Sequence, residues 1–471
     1  MNNPEFNEIV LQKFWLMQFL QGQILLTCKN KKLRIFSPGW WNYEQGPDFK
    51  NCEIELDGEL LSGDAEIHIA SSDWFKHGHH EDINYNNVVL HIIWNKDNKE
   101  TSINTSSAKL IDELLLSRYI PVSILQTIAK DTTIKERKLL CASYFNSLDN
   151  NRISQILQEA ALARLKNKSS RILKKISTTP LSQLLYENIM RACGYKHTKF
   201  LLEEFAEVLP AELLKKFAAR YSPNGLLYVQ AALYGCSKLL PLKEKTSFYA
   251  DSETKNYLTS LWTAFEILQA SFSIRTLTRL PATPAYSRPV NSPIRRLTAI
   301  SHIIINSLPA DLWDLIVLSI NHFLPRFSSS PNKNTLRKML AIWTKPFTTL
   351  TDPYWDSRFY FASCRFKKNQ KLIGKERAHA IILNAFIPLL YAYSEYTGNI
   401  KLNEFVLHLY HRFPSLKEDA ITRLMGKRLA LPAEFLNKLS IYQQGLHGIF
   451  ELFCNNPMGS CRNCPLTLCF S

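Results

Sequence analysis

Carboxylate and imidazole side chains alternate with apolar residues in one short stretch of the chain. Asp64, Glu66 and His68 are separated by Ala65 and Ile67. Because alternate residues of a β-strand point to the same face, this spacing predicts a strand with all three polar groups on one face. Such a face can bind a divalent cation through its oxygen and nitrogen atoms, or it can simply be solvated. The pattern alone leaves both interpretations open.

A tight turn precedes this strand and joins it to another. Residues 52–57 alternate between apolar and acidic side chains and lead into Asp57-Gly58, whose glycine tolerates the positive φ of a hairpin turn. The sequence therefore predicts an antiparallel hairpin that gathers carboxylates. Carboxylates on paired strands repel one another unless something neutralises them, and Lys50 and Lys76 are the only lysines between residues 46 and 80. We expect Mg²⁺ or Mn²⁺ here, because these ions prefer oxygen ligands.

Two short motifs on this hairpin resemble the signature of the PD-(D/E)xK nuclease superfamily. They are Pro47-Asp48 and Glu66-Ile67-His68, with seventeen residues between Asp48 and Glu66. The resemblance implies a restriction-endonuclease-like α/β fold in which Asp48 and Glu66 bind the metal, with the carbonyl of Ile67 as a third candidate ligand. His68 stands where the family usually has Lys. A neutral imidazole can accept a proton from water or bind metal, but it is not a permanent cation.

The first predicted helix supplies a further acidic candidate. Residues 5–20 place apolar side chains at helical spacing and predict an amphipathic helix. Members of the superfamily often carry a Glu on this helix that faces the metal, and the resemblance assigns that place to Glu8. A Glu near a helix N-terminus also interacts favourably with the helix dipole, which is the simpler explanation of its presence.

Three histidines follow the acidic strand within four residues. His77, His79 and His80 could contact a metal or a phosphate beside the hairpin, or they could lie in a solvent-exposed loop. They lack the wider spacing of a structural zinc site, which argues against a site made of these residues alone. Residues 87–94 then predict a buried strand that closes the first domain, and the polar residues 96–107 mark its end.

Helical periodicity and basic charge characterise the rest of the chain. Residues 1–100 carry 9 Lys and Arg against 15 Asp and Glu, a net charge of −6, so the later residues carry +22 within a total of +16. Basic faces attract the phosphates of nucleic acid, although most are simply solvated. The candidate nucleic-acid-binding residues are Arg164, Lys168 and Arg171 on a predicted helix of residues 153–176, and Arg288, Arg295 and Arg296 beside the Pro-rich segment 280–293.

Four cysteines lie in the last eighteen residues. Cys454, Cys461, Cys464 and Cys469 have the spacing C-x6-C-x2-C-x4-C. The N-terminus lacks the basic and apolar regions of a signal peptide, so we expect a reducing compartment in which thiolates bind metal rather than pair as disulfides. The spacing resembles the iron–sulfur loop of endonuclease III-type glycosylases, whose last gap has five residues. Four thiolates suit either a [4Fe-4S] cluster or Zn²⁺, and His447 could replace one of them.

Over its whole length the chain resembles an uncharacterised bacterial family, the domain of unknown function 2851. The segments that carry this resemblance include GPDFKNCEIEL, AEIHIASSDWFKHGHH, NVVLHIIW and SRPVNSPIRRL. The resemblance brings no activity with it, and it implies a cytoplasmic bacterial protein with the same two-part layout. No apolar run is long enough to span a bilayer, so no membrane partner is expected.

These observations together predict an α+β protein in three parts. A small restriction-endonuclease-like α/β domain occupies residues 1–107, and a large basic all-α region occupies residues 108–453. A break near residues 280–293 would divide the helical region into two subdomains. A Cys-rich metal-binding tail, residues 454–471, ends the chain.

Two functions of different class fit this layout. In the first, the protein is a metal-dependent nuclease: Asp48 and Glu66 hold Mg²⁺ or Mn²⁺, His68 is a base or an extra ligand, and the helical region binds nucleic acid. In the second, it is a non-catalytic scaffold that binds nucleic acid or protein, and its Cys centre is structural. The first function requires Asp48, Glu66 and His68 to converge within ligand reach at a cleft that faces basic residues, and it fails if they point apart.

Overall fold

Two large hydrophobic cores divide the protein into two units. The computed structural model describes residues 6–17, 20, 23–42, 46–97, 102–130, 140–194, 199–249, 251–276, 292–326, 333–363 and 365–454. The first unit lies within Met1–Ile156, Asp419–Ala433 and Leu446–Ser471, and the second within Leu157–Glu418 and Glu434–Gly445. Each unit is stabilised chiefly by burial of its own apolar side chains.

The first unit contains a mixed sheet of eight strands. These are β1 (Leu25–Leu26), β2 (Lys32–Ser37), β3 (Trp40–Trp41), β4 (Phe49–Leu56), β5 (Glu59–Ala70), β6 (Val88–Asn95), β7 (Ile103–Asn104) and β8 (Leu110–Leu115). Their order is β1-β2-β4-β5-β6-β8-β7, with β3 paired to β4. The pairs from β1 to β5 are antiparallel, β5, β6 and β8 run parallel to one another, and β7 is antiparallel to β8.

Strands β4 and β5 form the predicted antiparallel hairpin. Asp57 and Gly58 connect them with φ angles of 49° and 89°, the left-handed values that a two-residue hairpin turn requires. Ile54 lies opposite Leu61 in the register of the pair. The side chain of Ile54 is buried in the core of the first unit, and a slip by one residue would turn it toward the opposite face.

Strand β8 lies beyond residue 107, where the sequence analysis ended the first domain. It pairs in parallel with β6, with Leu90 opposite Asp112 and Ile92 opposite Leu114. Its sequence, LIDELL, contains a single β-branched residue, so local propensity does not mark it as a strand. Its conformation therefore comes from pairing with β6 and from burial.

Helices make up most of the remaining described residues, so the α+β class predicted from the sequence is confirmed. In chain order they are α1 (Glu8–Leu16), α2 (Asp73–Lys76), α3 (Val122–Lys130), α4 (Leu140–Ser147), α5 (Asn150–Leu173), α6 (Leu181–Cys193), α7 (Lys199–Val208), α8 (Ala211–Arg220), α9 (Gly225–Cys236), α10 (Ser252–Ser271), α11 (Pro293–Asn306), α12 (Leu312–Phe323), α13 (Lys333–Thr348), α14 (Lys375–Ile381), α15 (Ile387–Thr397), α16 (Ile400–Arg412), α17 (Ala420–Arg428), α18 (Glu434–Asn437) and α19 (Ser440–Ile449). Short π-helices, Ile382–Phe386 and Phe450–Cys454, follow α14 and α19. No helix among the described residues has the length and apolar character needed to cross a lipid bilayer.

Helix α1 brings polar groups to the edge of the hairpin. Its residues Leu11, Phe14 and Trp15 are buried in the core of the first unit, at the three- and four-residue spacing of an amphipathic helix. This packing fixes the rotation of the helix. Glu8 and Gln12, one turn apart on α1, therefore both reach the polar face of the sheet.

Candidate metal centre

A row of polar residues crosses the middle of the sheet. Glu66 of β5 lies opposite His91 of β6, and His91 lies opposite Glu113 of β8. Residues paired across neighbouring strands point to the same face, so these three side chains stand side by side. Asp48 comes directly before β4 and donates its backbone N–H to Glu66 Oε2 over 2.8 Å. The sheet thereby gathers four ionisable groups on one face.

Asp48 and Glu66 are fixed to each other through the backbone. The N–H of Ile67 donates to Asp48 Oδ2 over 3.1 Å, while the N–H of Asp48 holds Glu66 Oε2. The Gln12 side chain forms a further hydrogen bond to the Asp48 carboxyl. Each carboxyl is thus oriented by donors that the fold itself supplies.

The four residues that the nuclease resemblance singled out come together around His68. The Nε2 atom of His68 lies 3.4 Å from Glu66 Oε1 and 3.9 Å from Glu8 Oε1. Asp48 is joined to Glu66 by the hydrogen bond described above. Glu66 and Glu8 therefore both approach His68, and Asp48 is linked to this group through Glu66.

Burial and mutual repulsion act against the charged forms of these carboxyl groups. Burial raises the pKa of Asp48 above its usual range, and the charge of Glu66 raises it further. Burial likewise raises the pKa of Glu66, with a further contribution from Glu8. Burial together with the charges of Asp48 and Asp73 raises the pKa of Glu8 to about 7. A bound cation would remove both the repulsion and the cost of burying these charges.

The polar face of β5 is buried, whereas the sequence predicted a half-buried strand. Asp64, Glu66 and His68 do share one face, as predicted, but they are only 3%, 5% and 1% exposed. The segment that follows β5 contacts Glu66 and His68 through His77 and His79, and its Trp74 and Tyr85 are themselves buried. Asp64 is instead paired with Lys50. Because these side chains have little contact with solvent, the interpretation that the polar face of this strand is simply solvated is wrong.

Two of the three histidines after β5 turn back toward His68. The Nδ1 atom of His77 lies 3.1 Å from His68 Nε2, and the Nε2 atom of His79 lies 3.2 Å from Glu66 Oε1. The ligand nitrogens of His68, His77 and His79 all lie within 4.8 Å of one another. Spacing within residues 77–80 could not reveal this group, because its third histidine comes from the strand before.

The third histidine of that segment, His80, is directed elsewhere. Its Nε2 lies 3.5 Å from Glu81 Oε1, and its ring packs against Phe75 with the centroids 5.0 Å apart. The ring of His79 instead stacks on Tyr85 with centroids 3.8 Å apart. This stacking fixes the orientation of the His79 ring. Because His80 lies in the same segment but is directed away from His68, it is a suitable control for experiments on His77 and His79.

Sequence analysis missed His91 and Glu113, which lie behind His68. His68 Nδ1 is 2.9 Å from His91 Nε2, and His91 Nδ1 is 3.2 Å from Glu113 Oε1. Glu113 also accepts hydrogen bonds from Ser71 Oγ at 2.6 Å and from Lys96 Nζ at 2.5 Å. The only sequence signal for this chain of contacts is one histidine in the apolar strand NVVLHIIW, because isolated polar residues in a buried strand need a partner.

Burial alone would raise the pKa of Glu113, but the hydrogen bonds from His91, Lys96 and Ser71 outweigh it and lower the pKa to about 2. A carboxyl whose folded-state pKa lies below its unfolded value of 4.5 stabilises the protein above that pH. The contribution, about 3 kcal/mol if the whole shift is realised, is lost as the pH falls from about 4.5 toward about 2. We therefore expect the stability difference between the wild type and Glu113→Gln to shrink over this range.

Urea unfolding of both proteins at pH 7 and pH 3 measures this difference. Glu59→Gln, on the exposed start of β5, is the matched control and should show no comparable pH dependence. An equal difference between the wild type and Glu113→Gln at both pH values would contradict the prediction.

The candidate nucleic-acid-binding residues are largely engaged within the second unit. Arg164 donates to Gln444, Lys168 donates to Asn384 Oδ1 over 2.5 Å, and Arg171 donates to Glu203 Oε1 over 3.0 Å. Their side chains nevertheless remain on a helix that is partly exposed along its length. Arg288 lies outside the described residues.

Arg295 and Arg296 are buried, in contrast to the expectation of phosphate-binding side chains. They are 0% and 3% exposed. Both guanidinium groups donate to backbone carbonyls, Arg295 to Trp355 and Arg358 among others and Arg296 to Leu372 over 2.6 Å. In this structure the two side chains are thus structural donors that a phosphate cannot reach.

Of the four cysteines in the C-terminal motif, Cys454 is among the residues that the structure describes. Cys454 ends the π-helix Phe450–Cys454, while Cys461, Cys464 and Cys469 lie outside the described residues. His447, considered as a substitute ligand, places Nε2 2.7 Å from Asp419 Oδ2. Burial would raise the pKa of Asp419, but this contact, together with the hydrogen bond from Thr422, lowers it below its usual range.

Comparison with known proteins identifies a family without assigning an activity. No match was found among curated proteins, and none was found among solved structures. The family described as Protein of unknown function (DUF2851) matches residues 8–419, which contain the whole polar row and the histidine group. The chain therefore belongs to this family of proteins of unknown function, DUF2851.

Proposed function

We propose that the protein is a metal-dependent phosphodiesterase that cleaves nucleic acid, with Asp48 and Glu66 as its metal-binding pair. The observation that carries the proposal is the convergence of these two carboxyls with Glu8 and His68 in a place where burial raises the pKa of each acid. The strand order also supports it. A first helix that bears a Glu, followed by an antiparallel hairpin with Asp48 before one strand and Glu66 on the next, is the layout that the PD-(D/E)xK resemblance implies.

Asp48 and Glu66 would hold Mg²⁺ or Mn²⁺ through carboxylate oxygens, with Glu8 close enough to contribute through a water molecule. A divalent cation in this place would stabilise the charge that develops on a phosphate and lower the pKa of a bound water. The protein orients the pair in advance, because the N–H groups of Asp48 and Ile67 fix one oxygen of each carboxyl. Preorganised ligands need little rearrangement when an ion binds.

His68 is better suited to ligand binding than to proton transfer. Burial and the neighbouring imidazoles of His91, His79 and His77 hold the pKa of His68 far below its usual range. A base with so low a proton affinity would take a proton from water poorly. Of the two roles considered for this residue, we therefore favour that of a neutral ligand.

Nucleic acid is the substrate class that the charge distribution supports. The residues after position 100 carry a net charge of +22, which attracts polyanions. Such binding releases counterions, so we expect the affinity of the full-length protein for DNA or RNA to fall steeply as salt rises. Binding that does not depend on salt would speak against phosphate contacts.

The direct test is incubation of the full-length protein with single- and double-stranded DNA and RNA in the presence of Mg²⁺ or Mn²⁺. Cleavage that requires the metal and stops on chelation is the expected result. Salt-dependent binding of nucleic acid without cleavage of any of these substrates would favour the non-catalytic scaffold instead.

For the tail, we propose that Cys454, Cys461, Cys464 and Cys469 bind one metal centre in a reducing cytoplasm. Thiolate ligation would supply folding free energy to a segment with few apolar residues. Anaerobic purification followed by metal analysis should give about four iron atoms per chain with visible absorption for a [4Fe-4S] cluster, or about one zinc ion and no colour. Metal-free protein whose four thiols react freely would contradict both.

A further inference from the structure

Three imidazole nitrogens of the first unit, from His68, His77 and His79, lie within 4.8 Å of one another, and Glu66 Oε1 contacts two of these histidines, His68 and His79. We call this set of four residues the imidazole site. His68 Nε2 lies 3.1 Å from His77 Nδ1 and 3.4 Å from Glu66 Oε1, and Glu66 Oε1 lies 3.2 Å from His79 Nε2. Ligands bonded at about 2.1 Å to one ion are separated by about 3.0 to 3.4 Å in octahedral or tetrahedral geometry. The spacing of these atoms matches that of ligands on a single ion.

Contacts behind the site determine which nitrogen of His68 carries a proton. Glu113 accepts from the Lys96 ammonium and from the Ser71 hydroxyl, so it acts as a carboxylate and must also accept from His91 Nδ1–H. His91 Nε2 is then the acceptor, and His68 Nδ1 must donate to it. It follows that neutral His68 has no proton on Nε2, and that this lone pair points into the imidazole site.

This arrangement leaves lone pairs facing one another. His68 Nε2 lies 3.4 Å from the Glu66 oxygen and 3.9 Å from Glu8 Oε1, which are acceptors when these acids are ionised, and His77 Nδ1 is a hydrogen-bond partner of this nitrogen. His79 Nε2 is buried and forms no hydrogen bond to any group among the described residues, although Glu66 Oε1 is close. Buried polar atoms are almost always satisfied, so His79 Nε2 is the atom of this group that calls for a further partner. A metal ion bound to this group supplies that partner.

We propose that Glu66, His68, His77 and His79 bind a first-row transition-metal ion of the Zn²⁺ class. Three imidazole nitrogens and one carboxylate oxygen suit such an ion, whereas Mg²⁺ prefers an all-oxygen shell. Glu66 belongs both to the imidazole site and to the Asp48–Glu66 pair, because its Oε1 faces the imidazoles and its Oε2 accepts the backbone N–H of Asp48. Binding at the imidazole site does not depend on whether the protein cleaves nucleic acid.

Co²⁺, a spectroscopic substitute for Zn²⁺, tests the proposal on the metal-stripped full-length protein. Co²⁺ bound by nitrogen and oxygen gives visible bands without a near-ultraviolet thiolate band, whereas Co²⁺ in the cysteine tail gives both, so the near-ultraviolet band measures the share of the visible signal that belongs to the tail. His77 is exposed, and His77→Ala should fold normally while weakening the visible-band binding about tenfold or more. His80→Ala is the matched control and should bind as the wild type does.

Equal Co²⁺ affinity in the wild type, His77→Ala and His80→Ala would overturn the proposal. Asp48→Asn separates it from the proposed function, since this change should stop cleavage while the visible bands persist. If Asp48→Asn removes the visible bands as completely as His77→Ala does, there is one carboxylate-centred site and the imidazole site is refuted. If the protein cleaves nothing but His77→Ala still loses Co²⁺, the proposed function fails and the imidazole site stands.

Discussion

Replacing Asp48 with Asn should lower metal-dependent cleavage by a factor of about 1000 or more. The change removes one negative ligand, and the transition-state stabilisation that a bound cation provides is worth several kcal/mol, or about three powers of ten in rate. The shape of the site should survive, because the Asn carbonyl can still accept the hydrogen bond from Ile67 N–H. Cleavage rates at saturating Mn²⁺, together with Mn²⁺ affinity by calorimetry, measure the effect. Glu66→Gln should behave in the same way.

Measurements of the free energy of unfolding distinguish a loss of cleavage caused by a missing metal ligand from one caused by an unfolded variant. Both carboxyls are desolvated and repel each other, so a neutral amide of the same size should leave the metal-free protein at least as stable as the wild type. Glu55→Gln is the matched control, since Glu55 lies on the same hairpin but not in the polar row. It should retain activity within about twofold, as surface changes usually do. Full cleavage by Asp48→Asn, or equal loss in Glu55→Gln, would refute the assigned roles.

Local sequence patterns were sufficient to predict the hairpin and the shared face of Asp64, Glu66 and His68. The alternation of residues 64–68 and the Asp57-Gly58 turn are signals within a few positions of each other, and β-strand geometry converts them directly into a shared face. The separation between Asp48 and Glu66 follows from the same hairpin. The choice of Asp48 as the partner of Glu66 came from the resemblance to the PD-(D/E)xK superfamily, and the hairpin places the two residues next to each other.

His91 and Glu113, the other members of the polar row, could not be predicted from local sequence patterns. His91 reaches the row only because β6 pairs in parallel with β5 in a register that sets it opposite Glu66, and Glu113 only because β8 adds beyond β6. Parallel pairing joins strands that are distant in sequence, and the register is set by burial of the whole sheet. The burial of His68 was missed for a related reason, since the covering segment is identified only once the chain has folded back.

The prediction for Arg295 and Arg296 in the second unit was wrong. Composition predicted solvent-exposed charges, but the structure buries both side chains. Arg295 and Arg296 stand near a Pro-rich segment, a context that is typical of an exposed linker. Both instead begin α11, most of whose residues are buried. Charged side chains are almost never fully buried unless they are paired, so the sequence-based expectation followed the usual behaviour of arginine. The partners that permit burial are backbone carbonyls, which no sequence pattern displays.

Those carbonyl partners lead to a large expected loss of stability for Arg295→Ala. One terminal nitrogen of Arg295 donates to the carbonyls of Trp355 and Arg358, and the other to those of Gln370 and Lys371. All four acceptors lie in the segment between α13 and α14, whose described residues form turns and bends rather than helix or strand, so their carbonyls depend on such donors. Removing the side chain leaves buried carbonyls without a partner and opens a cavity.

We expect Arg295→Ala to lower the free energy of unfolding by about 3 to 5 kcal/mol, similar to the loss when one partner of a buried ion pair is removed, because several buried carbonyls lose their donor at once. Arg171→Ala is the matched control. The Arg171 side chain is 38% exposed and bridges Glu203 on the surface, so its loss should cost less than about 1 kcal/mol. Urea unfolding of both variants, followed by the fluorescence of the buried Trp355 and its neighbours, measures the difference. A stable Arg295→Ala protein that had lost only its affinity for nucleic acid would instead make Arg295 a phosphate-binding residue, and its burial would then have to be relieved when the nucleic acid binds.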